Sequence, residues 1–152
     1  MLNIKDELLG VVRALNDAGV PYALCGGMAV VLHGYPRLTR DIDILIEPDR
    51  LGHAGKALAS VGFDISGGML PFDIGKRHER KIFRVSKVSG EDILTVDLLL
   101  LPDYLRSVWD AREQYEVADV PVWVVSRAGL IQMKRISGRP RDMDDIENLE
   151  GI

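Results

Sequence analysis

Asp41 and Asp43 stand two residues apart in the segment DIDILI, residues 41–46. On an extended strand, residues at that spacing project from the same face, so both carboxylates point together while Ile42 faces the other way. Two anions held so close repel, and desolvating either is costly unless a cation compensates. A hard cation such as Mg²⁺ or Mn²⁺ takes oxygen ligands and completes its shell with water or phosphate oxygens. The plainer reading makes Asp41 a loop residue and leaves Asp43 at an exposed strand end. A third carboxylate weighs against it. Asp97 lies inside ILTVDLLLL, where seven of the other eight side chains are apolar. A carboxylate in so apolar a strand needs a neighbouring metal cation or an Arg or Lys partner. Three aspartates on adjacent strands could hold two metal ions, one activating an attacking oxygen and one bridging a leaving phosphate.

Anion-binding features accompany these acids. Cys25-Gly26-Gly27 joins an apolar strand to a helix, and a glycine pair there lets the backbone approach a ligand closely. Cys25 has no histidine near it in sequence, so it reads as a small buried hydrophobe rather than a nucleophile. Residues 76–87 carry six Lys or Arg against one Glu, and residues 134–141 carry four with no acid. In a chain of net charge −4, two such clusters suit an anionic ligand at a defined site better than a nucleic-acid-coating surface. Lys134, Arg139 and Arg141 gather around one helix break, as phosphate recognition needs. Equally compatible is a solvent-facing last helix with pairs such as Arg141–Asp145. Arg37 and Arg40 flank Thr39 just before the paired acids and could neutralise them or hold phosphate. His33, His53 and His78 have no metal-ligand spacing.

The elements that must position these groups follow from periodicity. Ile4, Leu8, Leu9, Val12 and Leu15 predict a helix over residues 3–18, ended by Gly19. A short strand YALC, a helix MAVVLH and the strand 41–46 follow, then a helix from Pro48 to about Val61. Residues 66–79, with three glycines and a proline, read as a loop. Strands over 81–88 and 93–100 form a hairpin around SGED. The chain is then helical from Pro102 to about Arg112, extended over 121–125, and helical again from the Ser126 cap through Ile136. SGRPR breaks that helix, and a last short one spans 142–149. This describes one domain over residues 1–152, of α/β (α+β) type, with a mixed β-sheet flanked by helices.

Bulk composition narrows the classes further. With 47% apolar and 28% charged residues, the chain has an ordinary globular balance and enough length for a core. Its N-terminal segment lacks the apolar core of a signal peptide, and no apolar run approaches the ~20 residues of a membrane span. A single cysteine excludes an intrachain disulfide and cysteine-based metal sites. A cytoplasmic protein without membrane contact is expected.

Taken together, GG, thirteen residues, DID, and an aspartate in a later apolar strand resemble the signature of the polymerase-beta-like nucleotidyltransferase superfamily. Cys25, Gly26, Gly27, Asp41 and Asp43 match that pattern in place. More narrowly, RLTRDIDILI resembles the R-x-T-x-D-x-D segment of small bacterial AbiEii-toxin-related members. KRISGRPRDMDDI, residues 134–146, resembles their closing motif. Many members carry Ser at the position of Gly27, so one hydroxyl is missing here. The resemblance implies the nucleotidyltransferase fold and transfer of a nucleoside monophosphate from a nucleoside triphosphate to a hydroxyl acceptor, with Mg²⁺ or Mn²⁺. Asp41, Asp43 and Asp97 would be catalytic and hold the metal. Gly26, Gly27, Arg37, Thr39, Lys134 and Asp142 would bind nucleotide. The acceptor is left open between an RNA end, a protein side chain and a small molecule. A partner protein is compatible, as in toxin–antitoxin pairs. The rivals are a non-catalytic protein keeping the fold, such as an antitoxin-like partner, and a phosphate-handling hydrolase using the same metals.

Overall fold

The computed structural model describes residues 1–151 as a seven-stranded mixed sheet with helices packed on it. In chain order the elements are α1 (Ile4–Asp17), β1 (Ala23–Cys25), α2 (Gly26–Leu32), β2 (Asp41–Ile46), α3 (Leu51–Ala59), β3 (Ile65–Phe72), β4 (Arg80–Ser89), β5 (Asp92–Leu100), α4 (Arg106–Asp110), β6 (Glu113–Val117), β7 (Val120–Val124), α5 (Arg127–Ser137) and α6 (Pro140–Glu150). Short 3₁₀ turns precede α3 and α4. The strands lie in the order β3-β4-β5-β2-β1-β7-β6. Central β2 and β5 run parallel, as do β1 and β7, and the other neighbours are antiparallel. The fold is therefore the mixed, helix-flanked sheet that the sequence predicts.

The centre of the sheet forms where the sequence is most apolar. Ile42, Ile44, Leu45 and Ile46 of β2 and Val96 and Leu98 of β5 are fully buried. Helix ends follow their chemistry. Asn3 accepts the Asp6 amide hydrogen at the start of α1, Ser126 accepts that of Gly129 at the start of α5, and Gly138 closes α5 in the left-handed conformation.

Three expectations change. Residues 66–79 are not all loop, because β3 covers Ile65–Phe72 at one sheet edge. Its glycines do not break the strand. The register shifts between Ser66 and Gly68, and a side chain on Gly67 would press on Arg84, so the pair makes a bulge on an edge. At the opposite edge, EQYEV forms β6, paired to β7 through a turn in which Ala118 and Asp119 both have positive φ. Its charged, half-exposed sequence gives no apolar alternation to read. The last helix starts at Pro140, two residues earlier than expected, with proline at its first position.

The register decides what meets at the centre. Cys25 of β1 is opposite Asp43 of β2, Asp43 is opposite Asp97 of β5, and Asp97 is opposite Arg84 of β4. These four residues form one row across the sheet, with side chains on a shared face. Asp41 lies on that face two residues earlier, opposite Thr95.

Candidate active site

A cleft of about 440 Å³ opens over this row. All nine residues expected to act there line it, namely Asp41, Asp43, Asp97, Gly26, Gly27, Arg37, Thr39, Lys134 and Asp142. Proximity does not give them equivalent surroundings.

Asp43 is the least compensated. It is partly buried and accepts no hydrogen bond among the described residues. Burial, then the charges of Asp97 and Asp41, push its carboxyl up to about 7, against the smaller opposing pull of Lys134 and Arg139. Asp97, 7% exposed, is held differently. Arg84 donates to both its oxygens, Nε to Oδ1 at 2.8 Å and the NH2 nitrogen to Oδ2 at 3.0 Å. The same bonds raise the Arg84 guanidinium above its ordinary value. Of the two compensations the sequence leaves open for Asp97, the Arg partner is therefore present. Cys25 is buried at the β1 end of this row, and its thiol is pushed well above its ordinary value by burial and by Asp43, as suits a packing residue.

The backbone around the row is shaped by Gly26 and Gly27. Gly26 has φ +65°, and a Cβ there would overlap the Asp43 carboxylate. A Cβ on Gly27 would lie 2.8 Å from Thr39 Oγ1 and 2.9 Å from the Arg37 guanidinium. The absent serine side chain is thus replaced by close approach of Thr39 and Arg37. Helix α2 has only seven residues, so its dipole offers little to an anion and the positive charge of the cleft comes from side-chain cations.

Those cations belong to one cluster. Lys134 on α5 is 5% exposed, with Nζ 2.8 Å from Asp145 Oδ2 and 3.5 Å from Asp142 Oδ1. Arg37 reaches Asp145 from the loop before β2, through Nε at 3.0 Å and the NH2 nitrogen at 3.1 Å. Arg139 donates to Asp142 from its backbone N–H and its guanidinium. Burial opposes the Asp142 charge, but the Arg139 hydrogen bonds and Lys134 outweigh it and hold the carboxyl below its ordinary value. Both Asp142 oxygens are therefore engaged by cations, and its visible task is to fix Arg139 and Lys134. Asp145 is 2% exposed and turned inward. The surface pair Arg141–Asp145 is replaced by Asp145 with Lys134 and Arg37, because Asp142, Asp145, Ile146 and Leu149 form the buried stripe of α6.

The sequence reading missed Arg84 and Asp145 as members of the site. A signal for Asp145 existed in the i, i+3, i+4, i+7 spacing of that stripe. Arg84 had none beyond lying in a basic run. The histidines stay outside the row. His33 bonds the Val125 carbonyl through Nε2 and meets Tyr115, and His78 stacks edge-on against Tyr104.

The donor set fits a hard divalent cation, since Asp41 and Asp43 offer oxygens with no competing hydrogen bond from a side chain, and Asp43 lacks compensation. Among the described residues, no group of three or more His, Cys, Asp or Glu closes into an ion-binding set by itself. No helix among them is long and apolar enough to cross a membrane.

Comparison with known proteins bears on the fold and the family. No curated protein sequence matches the chain. Among solved structures, the lincosamide antibiotic adenylyltransferase LnuA, lincomycin-bound, is similar with a TM-score of 0.64 and 20% identity, over 95% of each chain. A Thermotoga maritima protein assigned as a nucleotidyltransferase aligns with a TM-score of 0.65 and 13% identity, over 99% of this chain and 96% of its own. ANT(2")-Ia in complex with adenylyl-2"-tobramycin aligns with a TM-score of 0.55 and 13% identity, over 93% and 84%. At these identities the likeness speaks for the fold. The sequence model of the aminoglycoside-2''-adenylyltransferase family matches residues 7–148, nearly the whole chain. The chain belongs to the aminoglycoside-2''-adenylyltransferase family of nucleotidyltransferases.

Proposed function

We propose that this chain transfers a nucleoside monophosphate from a nucleoside triphosphate to a hydroxyl group of a small molecule, with Mg²⁺ or Mn²⁺. The observation that carries the reading is the row Asp43–Asp97–Arg84, set between the Gly26-Gly27 turn and an open cleft wall. The matching family and the lincomycin and tobramycin named with two similar structures favour a small-molecule acceptor over an RNA end or a protein side chain.

Asp41 and Asp43, with Asp97 at the edge of the set, would hold the metal, which supplies charge neutralisation for the phosphates and the pentacoordinate phosphorus. The chain's own residues do the rest. Gly26 and Gly27 remove the side chains that would keep a phosphate from the backbone, with Thr39 and Arg37 beside them. Arg139, whose side chain is largely exposed, and Lys134 face the triphosphate from the other wall, held in place by Asp142 and Asp145. Asp97 lies on the side of Asp43 nearest β4. It accepts the hydroxyl proton as the acceptor oxygen attacks the α-phosphorus, and pyrophosphate leaves. Arg84, donating to both Asp97 oxygens, holds that carboxylate oriented for this.

Incubation with α-labelled nucleoside triphosphates, Mg²⁺ and small-molecule acceptors should give labelled product in wild type and none in Asp41→Ala/Asp43→Ala. Release of inorganic phosphate without transfer would make the protein a hydrolase. Nucleotide binding with neither would make it a binding protein.

A further inference from the structure

Part of the cleft is left over once the aspartate row and the charged cluster are assigned. It is lined by Phe72, Ile82, Leu99 and Tyr104, together with Arg80 and Asp73. We propose, resting on the nucleotidyl-transfer reading above, that this part binds the acceptor, and that the acceptor is an uncharged hydroxyl compound with a flat or apolar face, not a polycation.

Charge bookkeeping separates these classes. A polyamine sugar brings several ammonium groups, and each needs a carboxylate in place of its lost water. Three of the five carboxylates lining this cleft are already engaged by cations. Asp142 holds Arg139 and Lys134, Asp97 holds Arg84, and Asp73 accepts from Arg80 at 2.8 Å. Asp41 and Asp43 belong to the catalytic row. The cations of this part are matched in the same way, since Arg80 and Arg84 each have their aspartate. The wall is therefore balanced and draws neither an ammonium nor an anion.

What it offers instead is apolar surface. Phe72 is 38% exposed at the end of an edge strand, with the Arg80 guanidinium 5.4 Å from its ring centroid. Ile82 lies between Arg80 and Arg84 on the cleft-facing side of β4. Tyr104 spends its hydroxyl on the His78 carbonyl at 3.0 Å, so what remains of it for a ligand is its ring. Such a shelf suits a planar or aliphatic face, with a hydroxyl extended toward Asp97. That oxygen forms a bond to the α-phosphorus, and the bond from phosphorus to the bridging oxygen breaks. Pyrophosphate takes the electron pair, and the hydroxyl proton passes to Asp97 and then to water.

The test uses two probes, 4-nitrophenyl β-D-glucopyranoside as the uncharged flat-faced alcohol and tobramycin as the polycation. Each is titrated by calorimetry into the protein with Mg²⁺ and a non-hydrolysable ATP analogue, whose own binding is measured first. The glucoside should bind at least tenfold more tightly than tobramycin. Phe72→Ala, at an exposed strand end, should weaken the glucoside at least fivefold, and Phe72→Tyr should retain it. Tobramycin binding as tightly or more tightly overturns the inference while leaving nucleotidyl transfer intact, and so does failure of both probes when the analogue binds. Failure of the corresponding analogues of all four nucleoside triphosphates overturns the nucleotide reading and this one with it.

Discussion

Replacing Asp43 by Asn should abolish a pH dependence of stability that the wild-type row imposes on the metal-free protein. The Asp43 carboxyl is pushed from 3.8 to about 7 in the folded protein, chiefly by burial and then by Asp97 and Asp41. Between those values the folded state holds a proton that the unfolded chain has released, so stability falls as pH rises through the window and levels off above about 7. The full interval corresponds to roughly 4 kcal/mol, of which about 2–3 kcal/mol lies between pH 5 and pH 8. Urea denaturation in EDTA at both pH values, for wild type and Asp43→Asn, reads this directly. Wild type should lose about 2–3 kcal/mol more than the mutant over that span, with other titrating groups cancelling in the comparison. Saturating Mg²⁺ should largely remove the difference by compensating the ionised carboxylate. Equal pH dependence in the two proteins would refute the reasoning, because Asp43 would then be compensated by something other than a bound cation.

Further predictions concern its neighbours. Asp97→Asn should lower metal-free stability by about 1–2 kcal/mol, discounted because Arg84 is partly exposed. The Asp97→Asn/Arg84→Met double mutant should cost less than the two single changes summed, as a denaturation cycle would show. Lys134→Ala should cost about 3–5 kcal/mol of stability, since it strips a buried cation from Asp145 and Asp142, and any loss of nucleotide affinity must be measured on the folded fraction. Mn²⁺ should raise the melting temperature of wild type and leave that of Asp41→Ala/Asp43→Ala unmoved. Gly26→Ala should destabilise the protein by more than the ~1 kcal/mol usual for a left-handed glycine, because its methyl would also displace the Asp43 carboxylate, and a thermal melt tests this.

What could be read from the chain alone was its interior. DIDILI and ILTVDLLLL declare themselves as central strands because most of their side chains are buried, and their aspartates stand out against apolar neighbours. The two strands not anticipated, β3 and β6, are the outermost ones. An edge strand has one free side and keeps glycine, proline and charge to discourage further pairing, which hides it from a periodicity reading. The site divides along the same line. Asp41, Asp43, Asp97 and the glycine pair are conspicuous locally, whereas the choice of Arg84 among six basic residues depends on the register of β4 against β5. Lys134 and Asp142 lie in the cleft as the sequence implied, but their burial against Asp145 and Arg37 depends on how α6 meets α5 and the loop before β2.

The cluster of Arg37, Lys134, Arg139, Asp142 and Asp145 also sets a timetable. Arg37 and its carboxylate partner are 108 residues apart in the chain. During synthesis, β1, α2 and β2 leave the ribosome long before α6, so the charged wall of the cleft waits for that helix. A nascent chain halted after α5 would carry Lys134 and Arg37 without either aspartate, exposing cations that the finished molecule keeps tied down. Such an intermediate would hold polyanions nonspecifically, through loose charge attraction rather than a shaped pocket. Arrival of α6 supplies Asp142 and Asp145, so this wall takes its final charge balance only when that helix packs against α5.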